Sequence, residues 1–113
     1  MNELDYFIKE TLNCDPEPIT ISKVKRVICE TFNVTMKEIE GKTRKQNIVF
    51  ARQFYVFFLW QKGLMKTKLE IAKSLNKNHA TIIYSINKLS NWVSLYDDMK
   101  STAKTINNKL EFE

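Results

Sequence analysis

Apolar residues recur at three and four positions along most of this 113-residue chain, the spacing of one buried face on an α-helix. Leu4, Phe7, Ile8, Thr11 and Leu12 form a first short face, which reads as a helix packed on the main body or as one that binds a partner. Val24, Val27, Ile28 and Phe32 form a second, with Thr20 as N-cap and Ile19 and Val24 as the hydrophobic staple around it. Lys23, Lys25 and Arg26 fall on the other faces and are expected in solvent. Thr35 and Glu38 have capping-box spacing and predict a helix of one or two turns from Met36 to Glu40, ended by Gly41. Thr43 and Gln46 repeat that spacing and predict the start of a long helix reaching about Lys62. It is apolar nearly all round, which makes it the central helix. Arg52 and Gln53 interrupt it, and a charge there needs a partner or an outlet. Two solutions are open: an ion pair with an acid such as Glu30, or emergence beside the next motif to hold a phosphate.

Gly63 stops the central helix, and the stretch KTKLEIAKSLNKNHATIIYSINKL follows over residues 66–89. Thr67 and Glu70 again have capping-box spacing, and Leu69, Ile71, Ala72 and Leu75 form the apolar face of a helix of about two turns. Asn76-Lys77-Asn78 breaks it, since Asn tolerates a left-handed backbone better than most residues. A second helix starts near Asn78 or His79, with Ile82, Ile86, Leu89 and Val93 as its buried stripe. Its opposite face shows His79, Ala80, Thr81, Tyr84, Ser85 and Lys88, small or polar side chains suited to base edges. A short helix, a tight turn and a helix with a readable outer face make a helix-turn-helix. Beyond it Trp92, Tyr96, Met99, Ala103, Ile106 and Leu110 keep helical spacing. They predict a last helix that folds back across the others, or a stripe that serves a homodimer.

Pattern alone fits plain core packing better than DNA reading; charge changes the balance. From Lys42 to Lys88 there are ten Lys or Arg and one acid, Glu70, whereas the rest of the chain holds eight bases and twelve acids. A basic block around a candidate motif is the footprint of phosphate binding. Two Gly and two Pro leave little turn material, so the fold class is all-α. Asp15-Pro16-Glu17-Pro18 is a stiff break, dividing an N-terminal appendage over residues 1–18 from one domain over residues 19–113. Cys14 and Cys29 match no metal spacing and read as reduced thiols of a cytoplasmic protein, Cys29 in the core. The start shows no signal peptide, and the apolar run over residues 48–60 is too short to span a bilayer. Gly41-Lys42-Thr43 looks like the end of a phosphate-binding loop, but Met36 stands where that motif needs Gly, so no nucleotide is expected. With one His, no paired acids in the core and no metal cluster, neither an enzyme nor a metal or other cofactor is expected.

In their order, ITISKVKRVICETFNVTMKEIEGKTRK, ARQFYVFFLW and LEIAKSLNKNHATIIYSINKL resemble the C-terminal DNA-binding domain of the bacterial replication initiator DnaA. The resemblance covers about residues 19–110 and implies a helix-turn-helix domain of about six helices. In that family a basic loop supplies a minor-groove arginine, and Arg44 falls there. An Arg-Gln pair on the central helix contacts phosphate; here it is Arg52-Gln53. The family motif G-G-R-D-H-[ST]-T-V reads N-K-N-H-A-T-I, with Lys77 at the Arg, Asn78 at the Asp, Ala80 at the Ser or Thr, and His79 and Thr81 retained in kind. The paired glycines are gone, Asn78 replaces an Asp that accepts from a base edge and Ala80 lacks the hydroxyl; the fold and docking geometry carry over, and the target sequence does not. No Walker motif exists, and the chain is expected to be no complete initiator. The expected function is stand-alone, sequence-specific binding of double-stranded DNA, in replication initiation or its regulation. Arg44, Asn78, His79, Ala80 and Thr81 would touch bases; Lys42, Lys45, Arg52, Gln53, Lys66, Lys68 and Lys77 would touch phosphates. The competing expectation is a protein-interaction module or transcription regulator that has lost this base readout, with its partner or second copy on the N-terminal or last helix.

Overall fold

The computed structural model describes residues 18–112, so the predicted first helix, Cys14 and all of the appendage but Pro18 lie outside the described residues. Within them are six helices and no strand: α1 (Ile21–Phe32), α2 (Met36–Glu40), α3 (Gln46–Gln61), α4 (Lys68–Leu75), α5 (His79–Leu95) and α6 (Asp97–Phe112). The caps follow the threonines. Thr20 Oγ1 accepts from the Lys23 amide at 3.1 Å and opens α1. Thr35 and Glu38 close a full capping box on α2, the Glu38 amide donating to Thr35 Oγ1 at 3.2 Å and the Thr35 amide to Glu38 Oε1 at 3.0 Å. Thr67 accepts from the Glu70 amide at 3.1 Å, but Glu70 reaches back to the Lys66 amide, one residue short of a reciprocal box. Gly63 and Asn76 both take positive φ, +66° and +54°, as the ends of α3 and α4 require.

The central helix is α3, which packs on α1, α2, α4 and α5, while α6 returns across α1 and α5. Phe54, Tyr55, Phe58 and Leu59 of α3 meet Val24, Val27 and Ile28 of α1 and Ile82, Ile86 and Leu89 of α5 in one core, closed by Ile106 and Leu110 of α6. Lys62 joins the end of α3 to α6 through Asn107 and Glu111, the last at 3.1 Å.

Several expectations about helix faces and boundaries fail. Lys23, assigned to solvent, is buried at 3% exposure, because α1 is covered by both α3 and α6. Leu69, assigned to the apolar face of α4, is 46% exposed, since this short helix buries only Ile71, Ala72 and Leu75. Ser85, assigned to the reading face of α5, is buried, because α5 also packs on α3, α4 and α6. Thr43 and Gln46 form no capping box: α3 starts from Lys45 without a side-chain cap, and the Thr43 hydroxyl accepts from the Lys45 amide at 3.4 Å instead. The last apolar stripe is split, because α5 ends at Leu95 and Tyr96 turns the chain into α6, leaving both residues exposed.

Candidate nucleic-acid interface

Residues 66–89 fold as two helices joined by Asn76-Lys77-Asn78, the predicted helix-turn-helix. Asn76 takes the left-handed conformation, φ 54° and ψ 45°, and its amide and that of Lys77 return to carbonyls of α4, at 3.2 Å to Lys73 and 2.9 Å to Ala72. Asn78 then caps α5, its Oδ1 accepting from the Ala80 amide at 2.9 Å. This engages the oxygen of Asn78 and leaves its amide nitrogen as the group for an outside acceptor. His79, Ala80 and Thr81 form the first turn of α5, and all are exposed. The free amides of that turn and the positive end of the helix dipole both favour an anion.

The basic loop between α2 and α3 lies beside this turn, held by two cationic side chains. Arg52, on α3, meets backbone carbonyls rather than an acid: Nε donates to Ile39 at 2.7 Å, Nη2 to Gly41 at 3.1 Å, and Nη1 and Nη2 to Thr43 at 3.4 and 3.3 Å. A further Nη2 contact reaches the Glu38 carbonyl at 3.3 Å. Neither the Glu30 ion pair nor a freely emerging guanidinium describes this arrangement. Burial lowers the pKa of Arg52, and the carbonyl dipoles replace its lost hydration. Lys77 donates from Nζ to the same Gly41 carbonyl at 2.6 Å, across 36 residues of sequence. Its pKa is lowered by burial first and then by the nearby Arg52 and Lys42 charges. Three cations thus converge where the loop meets the turn, and Lys42, Arg44 and Lys45 remain exposed on the loop.

The other site residues are placed differently. Gln53 is buried at 8% exposure, with Oε1 away from solvent and without a hydrogen bond among the described residues. It does not emerge beside the motif as expected, since four helices surround α3. Lys66 is exposed ahead of α4, and Lys68 is half-buried with Nζ 5.0 Å from the centre of the Trp60 ring. Two contacts went unread in the sequence, although Tyr84 and Lys88 were placed on the outer face of α5. Lys88 lies over both Trp92 and Tyr84, at 4.4 and 5.4 Å, which fixes its charge on the outer face of α5. The i, i+4, i+8 spacing of Tyr84, Lys88 and Trp92 carried that signal. The Gly41 carbonyl as a shared acceptor had no sequence signal, because a backbone oxygen leaves none.

A capped turn, an exposed polar helix tip and a basic loop tied to that turn define a helix-turn-helix domain with a cationic arm. The chain belongs to the bacterial DnaA helix-turn-helix family, whose model matches residues 21–89. It is 33% identical over 109 residues to the chromosomal replication initiator protein DnaA of Borreliella burgdorferi, covering 96% of this chain and 21% of that protein. Proteins of the same name from Borrelia duttonii and Streptococcus pyogenes serotype M1 are 36% identical over 95 residues and 31% over 94. These alignments cover 78% and 82% of this chain, and 19% and 21% of those relatives. The chain therefore spans about a fifth of the length of the relatives it matches.

Proposed function

We propose that this chain binds double-stranded DNA with α5 in the major groove and the loop over residues 41–45 at the minor groove or backbone, in replication initiation or its regulation. One observation carries the reading. The turn that leads into the exposed tip of α5 is tied through Lys77 to the Gly41 carbonyl of the exposed basic loop, which brings the candidate base-reading and phosphate-binding groups near one another. His79, Ala80 and Thr81 would face base edges, with the Ala80 methyl suited to a thymine methyl. The Asn78 amide nitrogen would donate to a base acceptor while its oxygen stays on the cap. Arg44 would enter the minor groove. Lys42, Lys45, Lys66 and Lys68 would meet phosphates, with Arg52 and Lys77 adding positive potential from just behind the loop. The replication role is supported by the names of the relatives alone.

The test is selection of bound sequences from a random duplex pool, followed by titration of the recovered duplex at several salt concentrations. A defined motif is expected. If four to six phosphates are neutralised, log affinity falls against log salt with a slope of about −4 to −5. A flat salt response would remove the proposal. A second reading, a protein-interaction module, has support in Leu95 and Tyr96, 73% and 56% exposed where α5 meets α6. Under it, Asn78→Ala with Thr81→Ala leaves function intact.

A further inference from the structure

We propose that Lys77 and Arg52 are positioning residues that lock the basic loop to the turn of the motif, so that Arg44 and the tip of α5 reach a duplex as one unit. This rests on the DNA-binding reading above and adds what sets the geometry between the two reading elements. The loop has little else to hold it: α2 is five residues long, and residues 42–45 belong to no helix. Arg52 fixes the inside of the loop by gathering the carbonyls of Ile39, Gly41 and Thr43 around one planar group. Lys77 fixes the loop to the motif, since its Nζ takes the second position on the Gly41 oxygen.

The placement of Lys77 makes the tie stiff. It stands between Asn76, held in the left-handed conformation, and Asn78, held as the cap of α5. A displacement of the loop is therefore passed to the first turn of α5 with little slack. Two cations on one carbonyl repel each other, so a purely solvated role would separate them; the short contacts are kept because each ammonium or guanidinium N–H replaces water with a directed acceptor. A phosphate-gripping role for Lys77, which the family resemblance implies, makes different predictions.

The experiment measures the affinity of the full chain for the duplex recovered from the random pool, with Lys77→Met, Arg44→Ala and the two together. Arg44→Ala alone is expected to weaken binding on the order of tenfold, the size of one good base contact. In the Lys77→Met background the same change is expected to cost less than about twofold, because the arm is no longer aimed. Lys77→Arg, which reaches the same carbonyl, restores the full effect of Arg44→Ala. Equal effects of Arg44→Ala in both backgrounds overturn the positioning role and assign Lys77 to a phosphate. A measurement without DNA keeps the two proposals apart. Amide exchange of residues 42–45 in the free protein should speed up in Lys77→Met, with the far-ultraviolet helix signal unchanged. Unchanged exchange removes the clasp whether or not the chain binds a duplex, and failure of the wild-type chain to bind any duplex removes the DNA reading alone.

Discussion

At the scale of single residues, burial decides which groups act electrically. Tyr55 is 2% exposed on α3, and its pKa is pushed up to about 12, first by burial and then by Glu40 and Cys29. The unfolded chain ionises this phenol near pH 10, so the neutral folded form is favoured fully below pH 10 and that stability is lost as pH rises towards about 12. The shift corresponds to roughly 2–3 kcal/mol. Denaturant titrations between pH 9 and 12 should show the loss in the wild-type chain and a flatter profile in Tyr55→Phe. Parallel profiles would place the phenol in contact with water. Arg52 marks the limit of legibility at this scale. The sequence showed that a charge on a helix so apolar needs an outlet, but the outlet is a fan of carbonyls on α2 and the loop after it, 9 to 14 residues away. Side-chain spacing does not encode where carbonyls point.

Elements were legible where a side chain bonds its own helix end. Thr20, Thr35 and Thr67 all cap the helices assigned to them, because the bond spans three residues and needs nothing distant. The Thr43 and Gln46 pair has the same spacing and fails, since the Thr43 carbonyl is drawn to Arg52 and the chain enters α3 two residues later. The split between α5 and α6 was missed because Trp92, Tyr96 and Met99 keep helical spacing through it without Gly or Pro. The adjacent acids Asp97 and Asp98, suited to a helix start, were the available signal. A contrast of caps tests the distinction. Thr35→Ala removes one half of a full box and should cost about 1 kcal/mol in urea unfolding. Thr43→Ala should stay within about 0.5 kcal/mol, as at an ordinary exposed position. Equal losses would show that the Thr43 hydroxyl supports the start of α3 after all.

For the whole molecule, the family match and the folded unit have different ends. The match stops at Leu89, within α5, yet the core continues into α6, where Ile106 and Leu110 are fully buried and Ala103 nearly so. These residues lie on the helix that returns across α1 and α5, and the lysine tie from α3 reaches Asn107 and Glu111 on the same helix. The interface proposed for DNA draws on the loop after α2 and on the first turn of α5. The last helix should therefore stabilise the reader without taking part in reading. Ile106→Ala leaves a cavity between α6 and the core and should lower unfolding free energy by about 2–5 kcal/mol. At a temperature well below its melting point, the folded variant should bind the selected duplex with wild-type affinity and wild-type salt slope. Lys62→Met, which breaks a partly exposed ion pair with Glu111, should cost no more than about 1 kcal/mol. Weakened binding by folded Ile106→Ala would mean that α6 sets the position of α5 as well as its stability, and the reader would then extend over the whole described domain.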